Sequence, residues 1–143
     1  MQLIQRMLAA ASVLPPEQQV TVPAQRRDFL KRRWQGRAED GREFCFDLEA
    51  RLAEGCVIFH SGGCDYVIRQ MPEKVYRIPF ESAGHAAFVA WKAGNLHLPV
   101  EIGDEAILVL HDEAMAVLLE HEGWAYSEPE LLFRPLMAVA HHP

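Results

Sequence analysis

Over short stretches of the first half of this chain, separated by turn signals, apolar and polar residues alternate, whereas the second half switches twice to helical spacing with a strand pattern between. The first period is that of a half-buried strand and the second that of an amphipathic helix. Neither one regular sheet nor one helical bundle accommodates both, so the chain is expected to be α+β, with its strand-rich and mixed parts segregated. In the first half, Gln19 to Val22, Glu43 to Leu48, Cys56 to Phe59 and Tyr66 to Ile68 read as strands, and Asp40-Gly41 between two such runs reads as a hairpin turn. Phe44, Phe46 and Leu48 share one face there. Residues 1–72 are accordingly predicted to form an all-β barrel or sandwich, with Met1 to Leu14 read as a strand and not as a leader.

Beyond Met71-Pro72, Val75 to Phe80 reads as a strand. Ser82 then caps a helix to about Lys92 that carries Ala87, Phe88 and Trp91 on one side and is ended by Gly94. Pro99 to Ile102 and Glu105 to Leu110 are predicted strands, joined by a glycine-first two-residue turn at Gly103-Asp104. A second helix follows, capped by Asp112, with Met115, Leu118 and Leu119 facing the core and Gly123 as terminator. The last strand falls between Trp124 and Leu136. This order, βαββαβ over residues 73–143, predicts a ferredoxin-like unit.

Charge divides the chain at the same place. Residues 1–72 carry a net charge of +1 and residues 73–143 one of −7, and six of the seven histidines lie in the acidic half. Such a half attracts cations. A turn centred on Gly103-Asp104 sets His97 opposite Leu110 and one place from His111, so both imidazoles are expected at the open end of one hairpin, close enough to share a metal. Each is also explicable as an ordinary surface histidine, and Asp112 as a helix cap. His141 and His142 near the chain's end are a plain metal-collecting pair or a harmless tail. His121-Glu122 lacks the second histidine of a zinc-protease motif, because Ala125 stands there. His60 and His85 read as structural or surface residues.

Other chemistries find less support. No apolar run exceeds six residues, against the ~20 that span a bilayer. Cys45, Cys56 and Cys64 form no Cys-x-x-Cys pair and fit free thiols in a reducing cytoplasm. Nucleotide-binding glycine loops and the serine-hydrolase elbow are absent from the sequence, and an acylphosphatase-like reading lacks its glycine-rich anion loop, so no enzymatic activity is expected. Arg26 to Arg37 holds six basic residues with Phe29 and Trp34 among them. That run suits a solvated strand face or a docking surface for an acidic protein better than an RNA site, given a whole-chain charge of −6. A non-catalytic interaction module with incidental histidines is the competing reading.

The residues also carry a resemblance. Arg32-Arg33-Trp34 through Glu43, Leu52 to Val57, Gln70-Met71-Pro72-Glu73-Lys74-Val75, and above all Trp91-Lys92-Ala93-Gly94-Asn95-Leu96-His97-Leu98-Pro99 with Glu101-Ile102, resemble the urease accessory protein UreE family. The resemblance implies a cytoplasmic nickel metallochaperone; imidazole ligands, which follow the Irving–Williams order, would also take Zn2+ or Cu2+ in vitro. It implies a homodimer joined through the C-terminal domain, with His97 from both subunits binding metal at the interface, His111 as a secondary ligand and His141 and His142 as a short ligand tail. Implied partners are urease and its accessory proteins, including the GTPase, with neither nucleic acid nor membrane. The chain departs from the family pattern at Leu96, often arginine, and at Glu113, where some members have a further histidine.

Overall fold

The computed structural model describes residues 1–136, and the chain falls into two units that divide between Met71 and Pro72. The first contains strands β1 (Gln2–Ile4), β2 (Gln19–Ala24), β3 (Arg33–Arg37), β4 (Glu43–Asp47), β5 (Val57–Ser61) and β6 (Cys64–Gln70). They form two three-stranded sheets, ordered β1-β4-β3 and β2-β6-β5. In β4 the period of two puts Phe44 and Phe46 in the interior, both at most 1% exposed, with Val22, Ile58, Tyr66 and Ile68 from the other sheet in the same core. The predicted barrel does not close. No ladder joins the two sheets: the loops beside them make isolated backbone contacts, Glu39 N–H to Thr21 O at 2.9 Å after β3 and the Ala9–Val57 bridge after β1. Pro23 contributes to this, since it has no N–H to donate and so suits the sheet edge that β2 occupies. The strand expected within Met1 to Leu14 is short: β1 ends at Ile4.

A polar clasp ties the β3–β4 turn to β6. The Tyr66 hydroxyl donates to Asp40 Oδ2 at 2.6 Å, and Arg42 Nε donates to the Tyr66 oxygen at 3.2 Å, with the guanidinium 5.1 Å above the Phe59 ring. The Tyr66 hydrogen bond holds the Asp40 carboxyl below its ordinary pKa and pushes the Tyr66 phenol up.

The second unit runs β7 (Glu73–Pro79), α1 (Ala83–Asn95), β8 (Val100–Ile102), β9 (Ala106–Leu110), α2 (Glu113–Glu122) and β10 (Glu130–Leu131). Its sheet order is β10-β7-β9-β8, antiparallel throughout. Ile107 and Val109 of β9, both fully buried, belong to one core with Val89 and Ala93 of α1 and Met115 and Leu119 of α2. Asp112 caps α2 by accepting the Ala114 N–H at 2.8 Å, and Gly123 ends it at φ 68°, a left-handed conformation that glycine adopts without steric cost.

Three sequence expectations change here. The aromatic face of α1 lies outward: Trp91 is 60% and Phe88 41% exposed, while Val89 and Ala93 face the sheet. The helix also passes through Gly94. Finally, β8 and β9 pair Val100 with Val109 and Ile102 with Ile107, so their turn is centred on Asp104-Glu105, one residue later than predicted. Gly103 keeps an ordinary negative φ. Its lack of a side chain serves close approach, since a Cβ there would meet Ala106 O at 3.0 Å.

Residues 132–136 form a strap. After β10 on one edge of the sheet, Leu136 donates its N–H to Val100 O on the opposite edge at 2.7 Å. Three strand spacings are ~14 Å, which five extended residues reach. Val100 belongs to the helix-side core, so Glu101 points to the other face, and its carboxylate accepts the Arg134 N–H. The strap therefore crosses the face away from the helices, and Phe133 within it is fully buried. No helix among the described residues is long and apolar enough to cross a membrane.

Candidate metal centre

The end of α1 positions His97. Leu96 is the C-cap, His97 donates its N–H to Gly94 O at 3.0 Å, and Leu98 donates to Ala93 O at 3.3 Å. These two bonds make a Schellman motif, whose residue after the cap takes a left-handed conformation and is usually glycine. Here that residue is His97, at φ 59°, the one non-glycine residue with positive φ among the described residues. A left-handed L-residue costs ~1–2 kcal/mol, although histidine tolerates the region better than most. Leu98 is partly buried against the core and holds the turn down, leaving the imidazole exposed. The helix C-terminus adds partial negative charge that favours a cation. Lys92, the cation in the last turn, is occupied by Glu122 at 3.3 Å.

His111 is placed differently. The β8–β9 ladder ends at Val100–Val109, with one further bond from Leu110 N–H to Pro99 O, so neither histidine lies within it. His111 Nε2 is instead hydrogen-bonded to Glu128 Oε1 at 2.8 Å, and its ring stacks on Tyr76 at 4.4 Å. Burial, then the Glu128 charge, raises the Tyr76 phenol above its ordinary pKa. Continued past the ladder, the register sets His97 opposite Asp112 and not Leu110, still one place from His111 at the hairpin's open end. Among the described residues no three His, Cys, Asp or Glu side chains gather to hold a metal. His141 and His142 lie outside the described residues.

The remaining histidines have local roles. His60 Nδ1 contacts Asp65 Oδ1 at 2.7 Å, and the hydroxyl of Ser12 donates to the other oxygen of that carboxylate at 2.6 Å. His85 sits in the first turn of α1, edge-on to Trp124, and His121 in the last turn of α2. The sequence offered no signal for Glu128 as the partner of His111, because a lone glutamate in a Ser-Glu-Pro loop has no periodicity to place it.

Residues 73–142, which include His97 and its helix, match the C-terminal domain of the UreE urease accessory protein. A urease accessory protein UreE of Chelativorans is 34% identical over 107 residues, covering 73% of this chain and 68% of that protein. The chain belongs to the UreE family. Its similarity to the UreE of Beijerinckia indica extends over 140 residues at 32% identity, 90% of this chain and 79% of the relative. With the UreE of Rhizobium rhizogenes it shares 30% identity over 105 residues, 72% of this chain and 63% of the relative. The match to the UreE domain contains the whole Schellman turn, from Ala93 to Leu98.

Proposed function

We propose that this UreE family member is a non-enzymatic nickel metallochaperone that carries Ni2+ on His97 and delivers it during assembly of the urease metal centre. The observation that carries this reading is the presentation of His97: an exposed imidazole on a backbone locked at a helix C-terminus. A single imidazole supplies one ligand, and Ni2+ in a tetragonal site takes at least four. A second copy doubles the supply if the two His97 side chains meet on a two-fold axis, which is the arrangement the resemblance implies. Exposed Trp91 and Leu96 beside His97 offer apolar surface for such a homodimer.

The strap supports a role for the tail. It ties Leu136 to Val100, three residues after His97 in sequence, and the five residues from Leu136 to His141 span at most ~17 Å. His141 and His142 are therefore proposed as auxiliary ligands. His111, whose Nε2 is taken by Glu128, is the weakest of the proposed ligands. Zn2+ and Cu2+ compete in vitro, since imidazole affinity follows the Irving–Williams order. The βαββαβ chain order with strands ordered β10-β7-β9-β8 supports a ferredoxin-like reading of the second unit, which is assigned metal binding and dimerisation. The first unit is assigned to client contact. Urease and its accessory proteins, including the GTPase, are the proposed partners, in the cytoplasm.

Calorimetry with Ni2+ on the full chain and on His97→Ala tests the proposal. About one tight ion per two chains is expected, lost in the variant while its circular dichroism is kept. Affinity falls on acidification, because an imidazole must be neutral to coordinate. Tight binding that survives in His97→Ala, or one ion per chain on a monomer, overturns the shared-histidine mechanism.

A further inference from the structure

The basic run Arg26 to Arg37 plays no part in the metal reading, and two of its six cations, Lys31 and Arg32, line a concavity of the first unit. Arg26–Leu30 form a short 3₁₀ turn, and Lys31 at its end reaches Asp28 Oδ1 at 3.2 Å. Arg32 Nε and Arg33 Nε then share one carboxylate oxygen, Asp47 Oδ1, at 3.4 and 3.2 Å. Two guanidinia on one carboxylate leave a positive charge in excess, and both arginine side chains are more than 70% exposed. Lys31 and Arg32 form one wall of a hollow of about 190 Å3 whose other wall is Ala50 and Arg51, with buried Leu48 as its floor and half-exposed Leu30 on the rim. Its one acidic lining residue is Glu49.

One wall and the floor are tied together: Leu48 N–H donates to Arg32 O and Glu49 N–H to Gln5 O, each at 2.9 Å, so Arg32 projects from a fixed backbone. The exposed guanidiniums of Arg32 and Arg51, one on each wall, suit a carboxylate, which arginine can grip with two parallel hydrogen bonds. The aliphatic Leu30, Leu48 and Ala50 suit an aliphatic neighbour of that carboxylate. RNA fits less well. Single strands need open aromatic faces on which to stack bases, and both aromatic residues of this run are withdrawn: Trp34 stacks on Phe46 at 4.0 Å, and Phe29 packs against the core.

We propose that the hollow between Lys31-Arg32 and Ala50-Arg51 is a docking site for an acidic segment of a partner protein, a carboxylate seating between Arg32 and Arg51 with an aliphatic side chain beside Leu30. The site lies wholly in the first unit and does not depend on the metal reading.

Fluorescence anisotropy on the full chain tests it with three labelled probes: a twelve-residue peptide of four Asp-Leu-Glu repeats, the same peptide with lysine in place of each acid, and a twelve-nucleotide oligouridine. Saturable binding of the acidic peptide alone is expected, at least tenfold weaker in 500 mM than in 50 mM salt. Arg32→Gln combined with Arg51→Gln should weaken it at least tenfold, and Arg6→Gln, outside the hollow, should leave it unchanged. All three positions are exposed, and circular dichroism checks that the variants are folded. Failure of the acidic peptide to saturate, binding by the double variant within twofold of the parent, or tighter binding of oligouridine overturns the proposal. Salt-sensitive self-association that the double variant abolishes also overturns it, by assigning the hollow to a second copy.

Discussion

Replacing His97 by glycine should make the metal-free protein more stable while removing its proposed cargo site. The left-handed backbone at φ 59° costs an L-residue ~1–2 kcal/mol, and glycine nothing. Glycine gives back ~0.5–1 kcal/mol through the greater freedom of its unfolded chain. The net gain over His97→Ala, which keeps the left-handed penalty, is therefore about 0.5–1 kcal/mol, or roughly 3–6 °C for a unit of this size. Urea and thermal unfolding followed by far-UV circular dichroism, without metal, measure the difference. With Ni2+ at about 100 times its dissociation constant the order should invert, because the parent gains ~2.7 kcal/mol by linkage and neither variant does. A glycine variant less stable than the alanine variant without metal refutes the capping argument. One that Ni2+ stabilises as much as it does the parent refutes His97 as ligand.

Tyr66→Phe should destabilise the first unit by ~1–3 kcal/mol in urea titration, since it removes the partner of Asp40 and Arg42 from a site where Tyr66 is 4% exposed. The Asp65 carboxyl lies below its ordinary pKa, chiefly through the Ser12 hydroxyl and then through His60. Its stabilisation is thus complete above the unfolded value of ~3.9 and lost as pH falls towards the depressed folded value, so the unfolding midpoint should drop through that window and Asp65→Asn should flatten the drop. Phe133→Ala should cost ~3–5 kcal/mol of second-unit stability in thermal unfolding, because it empties a fully buried site beneath the sheet.

The elements governed by local chemistry could be read directly from the residues. Ser82 and Asp112 cap their helices through their own side chains, Gly123 terminates α2, and the alternation of Phe44 and Phe46 defines the interior face of β4. What escaped was decided by distant partners. Phe88 and Trp91 have the spacing of a core face, yet α1 presents Val89 and Ala93 inward, with smaller side chains that let helix and sheet approach. Gly94 looks like a helix terminator, but the two bonds back to Ala93 and Gly94 place the left-handed residue three positions later, at a histidine. The importance of His97 was visible through the motif around it, whereas its strained backbone was not. The Glu128 partner of His111 and the strap to Val100 link positions far apart in sequence, and no local pattern reports them.

The order in which the second unit can be completed follows from the position of β7. This strand is translated first in its unit, yet it lies inside the sheet, and its partner on one side is β10, with Lys74 beside Glu130, 56 positions later. During synthesis at ~5–20 residues per second, β7 therefore waits several seconds with one edge unpaired. The first unit has no such debt to later residues, since its six strands pair among themselves. Folding on the ribosome should proceed with the first unit formed and the second ajar until residues 130–136 emerge. Only then does the strap lie on the face opposite the helices, so a nascent chain stalled before Glu130 should expose Val75, Leu108 and Leu110 of that face to chaperones or to proteolysis.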